Sequence, residues 1–187
     1  MRAASCVMVC VLLAPLHAVA GKILDSSVTR NDRFYQASID VRFDAPLSVV
    51  YRTITDYDNL AAINPSIEES RVLRVIGPQR YRVHSVIKIC ILVFCKRVNQ
   101  VQDVAQKGTG SIEAVTLPAD SDFRSGIARW KFSEAGLATN LHFTHEFEPD
   151  FWVPPVIGPW LIQRALRREV NETVMNVELI AREEASK

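Results

Sequence analysis

Residues 44–70, DAPLSVVYRTITDYDNLAAINPSIEES, decide the fold, because they encode two helices in quick succession. Asp44 is placed to cap the first helix, and Pro46 suits its first turn, where a missing N–H is harmless. The second helix is short and must end near Asn64, since the residue before a proline is pushed out of the helical region. Apolar residues at steps of three and four place one side of the first helix against a buried surface. They are Leu47, Val50, Tyr51, Ile54 and Tyr57.

Alternating apolar and polar residues predict one strand before this stretch and six after it. The later segments are separated by loops rich in glycine, proline and polar residues. Such short connections favour antiparallel pairing of neighbours and a strongly curved sheet. The predicted strands are 35–43, 71–76, 81–89, 96–104, 111–117, 126–132 and 139–147.

A long amphipathic helix is predicted from near Gly158 and Pro159 onwards, because no glycine or proline interrupts residues 160–187. A helix of about 25 residues is roughly 37 Å long, enough to cross the sheet of one domain. Its charged residues, Glu178 among them, are predicted to lie largely away from its apolar face. That face consists of Ile162, Leu166, Val170, Thr173, Val177 and Ile180.

The first 20 residues have the features of a secretory signal peptide. Arg2 supplies the positive charge, residues 7–16 supply an apolar core, and Ala18-Val19-Ala20 forms a small-residue cleavage site. The apolar core is about half as long as the roughly 20 residues of a membrane-spanning helix, which disfavours an anchor. We therefore predict cleavage after Ala20, export to the periplasm, and a single mature domain over residues 21–187.

Two cysteines, Cys90 and Cys95, remain after the predicted cleavage. An exported pair is normally oxidised. On one continuous strand the two side chains would point to opposite faces, whereas across a hairpin they can meet disulfide geometry. The sequence therefore predicts a hairpin here, closed by a disulfide. A redox or metal pair would need a two-residue spacing or further ligands, which are missing.

Charge and motifs argue against several classes of function. The mature chain carries 22 − 1 = 21 basic residues against 21 acidic ones, so it has no global charge for binding nucleic acid. It has no paired metal-ligand motif, no nucleophile elbow and no glycine-rich phosphate loop. Hydrolase, dehydrogenase and kinase activities are therefore poorly supported, and neither a metal nor a cofactor is predicted.

An ordered set of residues across the mature chain resembles the START-like, or SRPBCC, superfamily, and within it the coenzyme Q-binding and polyketide cyclase branch. The resemblance implies an α+β helix-grip fold, in which a curved seven-stranded antiparallel sheet surrounds the long C-terminal helix. Two short helices follow the first strand. It also implies a hydrophobic cavity between sheet and helix, but no family catalytic motif carries over. The residues are Pro46, Val50-Tyr51, Thr55-Asp56-Tyr57, Leu60, Pro65, Asp122-Phe123-Arg124, Trp130, Pro149 and Pro154.

Residues facing the gap between sheet and helix are candidates to line a ligand cavity. The same residue types would also fill a solid core, so the sequence leaves both interpretations open. His145 could orient a ligand headgroup or carbonyl, or serve as a hydrogen-bonded structural histidine. The candidates are Tyr81, Ser85, Trp130, Leu141, Phe143, His145, Phe147, Leu166 and Val170.

Aromatic and basic residues lie close together around the start of the last helix. Such a combination suits a membrane interface, where rings sit at headgroup level and cations meet anionic lipids. A solvated helix face and a packed proline loop are the alternatives. The membrane-contact candidates are Phe151, Trp152, Trp160, Arg164, Arg167 and Arg168.

The predicted function is therefore an exported START-like domain that binds a hydrophobic small molecule, such as a lipid or isoprenoid, without catalysis. Transient membrane contact would load it. Two alternatives stay open. One is a protein-interaction module whose cavity is filled by side chains. The other is a polyketide cyclase or aromatase, whose candidate polar pocket groups are Ser85, Asn99, Gln100 and His145. The sequence leaves the ligand and the oligomeric state undetermined.

Overall fold

A computed structural model describes residues 21–91, 94–153 and 158–185, so the predicted signal peptide lies outside the described residues. The described part of the chain forms a curved antiparallel sheet and a long C-terminal helix, which is the predicted helix-grip fold. Its strands are β1 (Lys22–Asn31), β2 (Phe34–Phe43), β3 (Ile67–Gly77), β4 (Arg80–Ile91), β5 (Phe94–Lys107), β6 (Ser111–Thr116), β7 (Phe123–Ala135) and β8 (Ala138–Pro149). Its helices are α1 (Leu47–Ile54), α2 (Leu60–Ile63), a 3-10 turn (Pro118–Asp120) and α3 (Gly158–Ala185).

The strand order is β1-β2-β8-β7-β6-β5-β4-β3, with antiparallel pairing throughout. Strands adjacent in the chain pair with each other, except that β2 lies beside β8 and leads through α1 and α2 to β3 at the far edge. α1 packs against β7, β8 and α3, and α2 packs against β3 and α3. The two short helices therefore cover one end of the curved sheet.

The sheet has eight strands in the described residues, whereas the sequence predicted seven. The missed strand is β1, an edge strand of which Ser26 is the single buried residue. Because both faces of β1 are largely exposed, its sequence lacks the apolar alternation by which the other strands were predicted. Its pairing with β2 and its contacts with α3 hold it in place.

The helices after β2 follow the predicted positions with two corrections, both on α1. The helix ends at Ile54, so Tyr57 lies in the loop beyond it, and its N-terminus differs from the prediction. α1 begins after Pro46, which is itself the N-cap residue, and no side chain caps it. The predicted capping role of Asp44 is therefore wrong; its backbone N–H donates instead to Glu178 Oε1 at 2.8 Å. α2 ends as predicted, because Asn64 before the proline is extended, with φ −126° and ψ 105°.

The core lies between β2, the neighbouring inner strands and α3. Every second residue of β2 from Tyr35 to Phe43 is buried, and Val50 of α1 and Val177 of α3 are completely buried. Glu178 departs from prediction: it was expected to face away from the core, yet it is only 4% exposed. The reason is long-range, because two distant backbone amides donate to its carboxylate.

The predicted disulfide between Cys90 and Cys95 is confirmed. The two cysteines lie directly opposite each other in the β4–β5 register, with Cα atoms 4.0 Å apart. Residues 92–93 between them lie outside the described residues. The bond therefore clips the β4–β5 hairpin at its turn.

Candidate functional site

Strand pairing places an aromatic surface on the inner face of the sheet. Phe143 of β8 pairs with Ile39 of the buried β2 row on one side and with Trp130 of β7 on the other. Since residues directly opposite each other share a face, Trp130 and alternate residues of β8 point inward with the core. The inner aromatic surface consists of Trp130, Phe143, His145 and Phe147.

The rings of this surface contact one another in sequence. Trp130 and Phe143 have ring centroids 5.0 Å apart, and those of Phe143 and His145 are 6.2 Å apart. The His145 imidazole stacks on Phe147 with centroids 4.6 Å apart and an interplanar angle of 29°. The rings therefore form a continuous, mostly apolar strip along β8.

The inner aromatic surface is only half-buried, although it faces the interior. The described part of α3 approaches β1, β2 and β4 and makes no comparable set of contacts with the central strands β5 to β8. Leu166 and Val170 of α3, on the predicted apolar face, are half-buried too. The sheet and the helix thus leave incompletely covered apolar groups facing each other. Leu141 differs from its neighbours on β8, since it is buried in the core and 7% exposed.

His145 is the polar group of the inner aromatic surface. Its Nε2 atom is buried and has no hydrogen-bond partner. Burial lowers the pKa of His145 from 6.5 to about 4, because the charged imidazolium would be desolvated there. At neutral pH the ring is uncharged, with one nitrogen as donor and the other as acceptor.

A polar row crosses the inner face beside this histidine. Gln100 and Ser85 lie opposite each other on β5 and β4, and Gln100 Nε2 donates to Thr116 Oγ1 of β6 at 3.4 Å. The next strand contributes Gly126, where an added Cβ would lie 2.5 Å from Thr116 Oγ1 and 3.5 Å from His145 Nε2. Because Gly126 has no side chain, only its backbone lies between the Thr116 hydroxyl and the His145 ring. The polar row consists of Ser85, Gln100 and Thr116.

Thr116 and Gly126 in this region, and Glu169 elsewhere on α3, were not predicted from the sequence as site residues. The glycine carried a usable signal, since a glycine inside a strand often marks a close approach of other groups. Glu169 lies on α3, where burial raises the pKa of its carboxyl and a hydrogen bond from Ser66 partly opposes the rise. Its hydrogen-bond partner, Ser66, is 103 positions away in the chain. The periodicity of α3 carries no information about so distant a contact.

The other predicted cavity residue on the sheet, Tyr81, lies on β4 and contacts Tyr57, with ring centroids 5.5 Å apart. Tyr57 is 8% exposed, and its hydroxyl accepts a hydrogen bond from Gln106 Nε2 at 3.0 Å. Burial raises the pKa of Tyr57 to about 12, so the phenol stays protonated at neutral pH. This end of the inner face is therefore anchored by aromatic packing from the loop after α1.

A second region combines aromatic and basic side chains near the start of α3. Trp152 is 79% exposed and Trp160 is 55% exposed, and the Arg164 guanidinium lies 5.7 Å from the Trp160 ring centroid. Phe151, predicted as a membrane-contact residue, is half-buried against Phe123. A surface groove of about 370 Å³ beside Trp152 is lined by Arg30, Arg33, Tyr35, Arg124, Glu148, Pro149, Asp150, Phe151, Trp152 and Val153.

All three predicted basic residues are exposed on the surface of α3, and one of them also donates a hydrogen bond to another element. Arg164 and Arg168 are exposed. Arg167 is exposed too, but its Nη1 donates to Ser26 Oγ of β1 at 2.9 Å. Arg167 therefore helps to hold the edge strand against α3.

The described residues contain no group of three or more histidine, cysteine, aspartate or glutamate side chains arranged to hold a metal ion. His142, on the face of β8 opposite to His145, pairs with Asp40 Oδ1 at 2.7 Å. Among the described residues, no helix is both long enough and apolar enough to cross a membrane.

The chain belongs to the family described as "Polyketide cyclase / dehydrase and lipid transport", whose model matches residues 43–174. This range contains both short helices, strands β3 to β8 and more than half of α3. Comparison with curated protein sequences gives no match.

Several solved structures have the same fold. The chain is 15% identical to the Zhui aromatase/cyclase from Streptomyces sp. R1128, with a TM-score of 0.65 over 81% of this chain and 96% of that one. It is 14% identical to a START superfamily protein from Mycobacterium smegmatis, with a TM-score of 0.61 over 79% and 97%. A protein of Thermus thermophilus is 20% identical, with a TM-score of 0.60 over 76% and 94%. These similarities establish the START-like fold.

Proposed function

We propose that this protein is an exported, non-catalytic carrier that binds a hydrophobic small molecule, lipid or isoprenoid-like, between α3 and the inner aromatic surface. The observation that carries the proposal is the incomplete burial of Trp130, Phe143 and Phe147, which face the interior. Apolar ligand surface buried against such rings contributes about 25 cal/mol per Å². The half-buried Leu166 and Val170 supply the opposite wall.

The polar groups of the inner face favour a ligand with one hydrogen-bonding end. His145 Nε2 is enclosed without a partner, and the Thr116 hydroxyl lies across Gly126 from it. An unmade hydrogen bond at a buried site is costly, so a ligand hydroxyl or carbonyl placed here would gain affinity. The ligand would therefore have an apolar body and a neutral polar end.

The low pKa of His145 favours a binding role for this residue over a catalytic one. A general base works best with a pKa near the operating pH, whereas burial holds the pKa of His145 at about 4. At neutral pH the imidazole is well suited to hold a hydrogen bond and is a poor proton acceptor.

Native mass spectrometry of the purified full-length product, followed by lipid extraction, tests the proposal. We expect a stoichiometric apolar molecule to leave the protein on extraction. Protein that carries nothing and also fails to bind the apolar fluorophore ANS would have a filled interior, and the interaction-module alternative would replace the carrier.

The second candidate function is a polyketide cyclase or aromatase, and Glu169 is the observation that favours it. Burial raises the pKa of this carboxyl on α3, which suits a group that donates a proton. Turnover of a polyketide chain that is lost in Glu169→Gln, while Glu172→Gln on the same helix stays active, would favour the enzyme over the carrier.

We also propose that the exposed tryptophans near the start of α3 touch an anionic membrane when the carrier loads. Replacing both Trp152 and Trp160 with alanine should weaken flotation with vesicles of anionic phospholipid at least tenfold, since each buried ring contributes well over 1.4 kcal/mol. Leu137→Ala is the control, because Leu137 is an apolar residue that is 87% exposed in the turn before β8, at the other end of that strand from Trp152. Equal flotation of the double variant and the control would reject the membrane contact.

A further inference from the structure

Glu178 is a buried carboxylate on α3 that has no role in the proposed ligand site. It is 4% exposed, and its Oε1 atom accepts hydrogen bonds from the backbone nitrogen of Gly21 at 2.6 Å and of Asp44 at 2.8 Å. As long as the signal peptide is still attached to Gly21, both of these donors are uncharged backbone amides. A buried carboxylate is costly to desolvate, and an opposite charge at hydrogen-bond distance offsets that cost best.

Gly21 sits in a space that excludes any side chain. An added Cβ would overlap Glu178 Oε1 and would lie 2.6 Å from both the Arg42 carbonyl oxygen and Val174 Cγ1. Atoms of β2 and α3 thus close around this one residue. Only glycine can place its backbone nitrogen against the carboxylate here.

Gly21 is also the residue that follows the predicted cleavage site. The Ala18-Val19-Ala20 pattern belongs to the predicted signal peptide, whereas the Glu178 contact belongs to the folded domain, so the two observations are independent. Hydrolysis by a signal peptidase breaks the Ala20–Gly21 C–N bond. The oxygen of a water molecule bonds to the carbonyl carbon of Ala20 to give its carboxylate, and protons from water complete the new amine of Gly21. An α-amine has an ordinary pKa of about 7.7–8.0, so it carries a proton at neutral pH.

We propose that leader removal after Ala20 completes the fold by creating an ion pair between the Gly21 α-ammonium and the buried Glu178 carboxylate. The inference rests on the export part of the proposed function. The same carboxylate oxygen holds the backbone of Asp44 at the β2–α1 junction, so the new charge ties β1, that junction and α3 together. The mature domain is therefore more stable than its precursor, and the helix that forms one wall of the ligand space is fixed after processing.

A double-mutant cycle on the recombinant domain tests the ion pair. One chain begins at Gly21 and is released from a fusion protein by a protease that leaves no extra residue. The other chain begins at Ala20. The extension keeps the Gly21 N–H donor but moves the charge about 3.8 Å along the chain. Each is made with Glu178 and with Glu178→Gln, and the unfolding equilibrium constant is measured in urea at pH 7.

We expect the extension to raise the unfolding equilibrium constant about tenfold when Glu178 is present, because a charged hydrogen bond becomes a neutral one. With Glu178→Gln the extension should have less than about a twofold effect. Equal stability of the two Glu178 chains would overturn the proposal. An equally large effect of the extension in both backgrounds would overturn it as well, since the cause would then be steric.

A second measurement keeps the test decisive if Glu178→Gln does not fold. Acetylation of the α-amine, followed by mass spectrometry, should be at least about tenfold slower in the chain beginning at Gly21 than in the chain beginning at Ala20. Equal reactivity of the two amines would show that the Gly21 amine is not held against Glu178, and would refute the pair.

The proposed carrier function can fail without affecting this cycle, because neither ligand nor membrane enters it. N-terminal sequencing of the protein isolated from its own cells tests the shared assumption of export. A first residue of Gly21 supports the ion pair. An intact signal peptide, or cleavage at another bond, would show that the ion pair does not form in the cell, and would overturn the proposal.

Discussion

Replacing Val170 with tryptophan should lower the affinity of the protein for an apolar probe by about 100-fold and leave the fold intact. Val170 is half-buried on the inner side of α3 and packs beside the core cluster. A tryptophan there would fill space that we assign to the ligand. Excluding about 110 Å² of ligand surface removes about 2.7 kcal/mol of binding free energy, which corresponds to about 100-fold in Kd.

Met175→Trp is the matched control for this substitution. It places the same ring on the same helix at a residue that is 54% exposed. The dissociation constant of ANS would be measured for both variants, with circular dichroism to confirm the fold and native mass spectrometry to count retained ligand. If Val170→Trp bound the probe as tightly as Met175→Trp, the ligand would not lie between α3 and the inner aromatic surface.

The second large effect is a loss of stability on mild acidification, caused by His145. Burial lowers the pKa of its imidazole to about 4 in the folded state, against about 6.5 in the unfolded chain. Above pH 6.5 the imidazole is uncharged in both the folded and the unfolded state, so His145 adds no pH dependence to the free energy of unfolding. Between pH 6.5 and 4 the unfolded state binds more protons, so stability falls as the pH falls. The full cost below pH 4 is about 3 kcal/mol, and at pH 5 it is about 2 kcal/mol.

Urea unfolding of the native sequence, His145→Gln and His142→Gln at pH 7 and pH 5 would measure this contribution. The difference between pH values should shrink by about 2 kcal/mol in His145→Gln. It should persist in His142→Gln, because His142 lies on the outer face, where its side chain is 45% exposed. An unchanged pH dependence in His145→Gln would mean that the imidazole remains accessible to protons in the folded state.

Features governed by neighbouring residues could be predicted from the sequence. The end of α2 follows from the steric clash that a proline imposes on Asn64, and that clash acts whatever the rest of the chain does. The inward direction of Phe143 and His145 follows from strand alternation in the same way. The Cys90–Cys95 bond was predictable because a hairpin is a local structure.

Features governed by distant contacts were missed or predicted wrongly. Glu178 has the residue type of an exposed helix position, yet it is buried, because the backbone N–H of Asp44, 134 positions away in the chain, donates to its carboxylate. β1 has little apolar alternation, because an edge strand needs no buried face of its own. In both cases the deciding partner lies on another element, and periodicity within a segment carries no information about it.

The sequence by itself determined most of the strands and helices, the disulfide and the set of side chains turned inward, since steric limits and hydrophobic periodicity act over a few residues. The START-like arrangement of these elements was expected from the resemblance to that superfamily. Only the tertiary structure decided that the inner rings remain half-buried, that His145 Nε2 is enclosed without a partner, and that Glu178 meets Gly21. The physical reason is that burial depends on how closely α3 approaches each strand. That approach is set by packing between elements far apart in the chain.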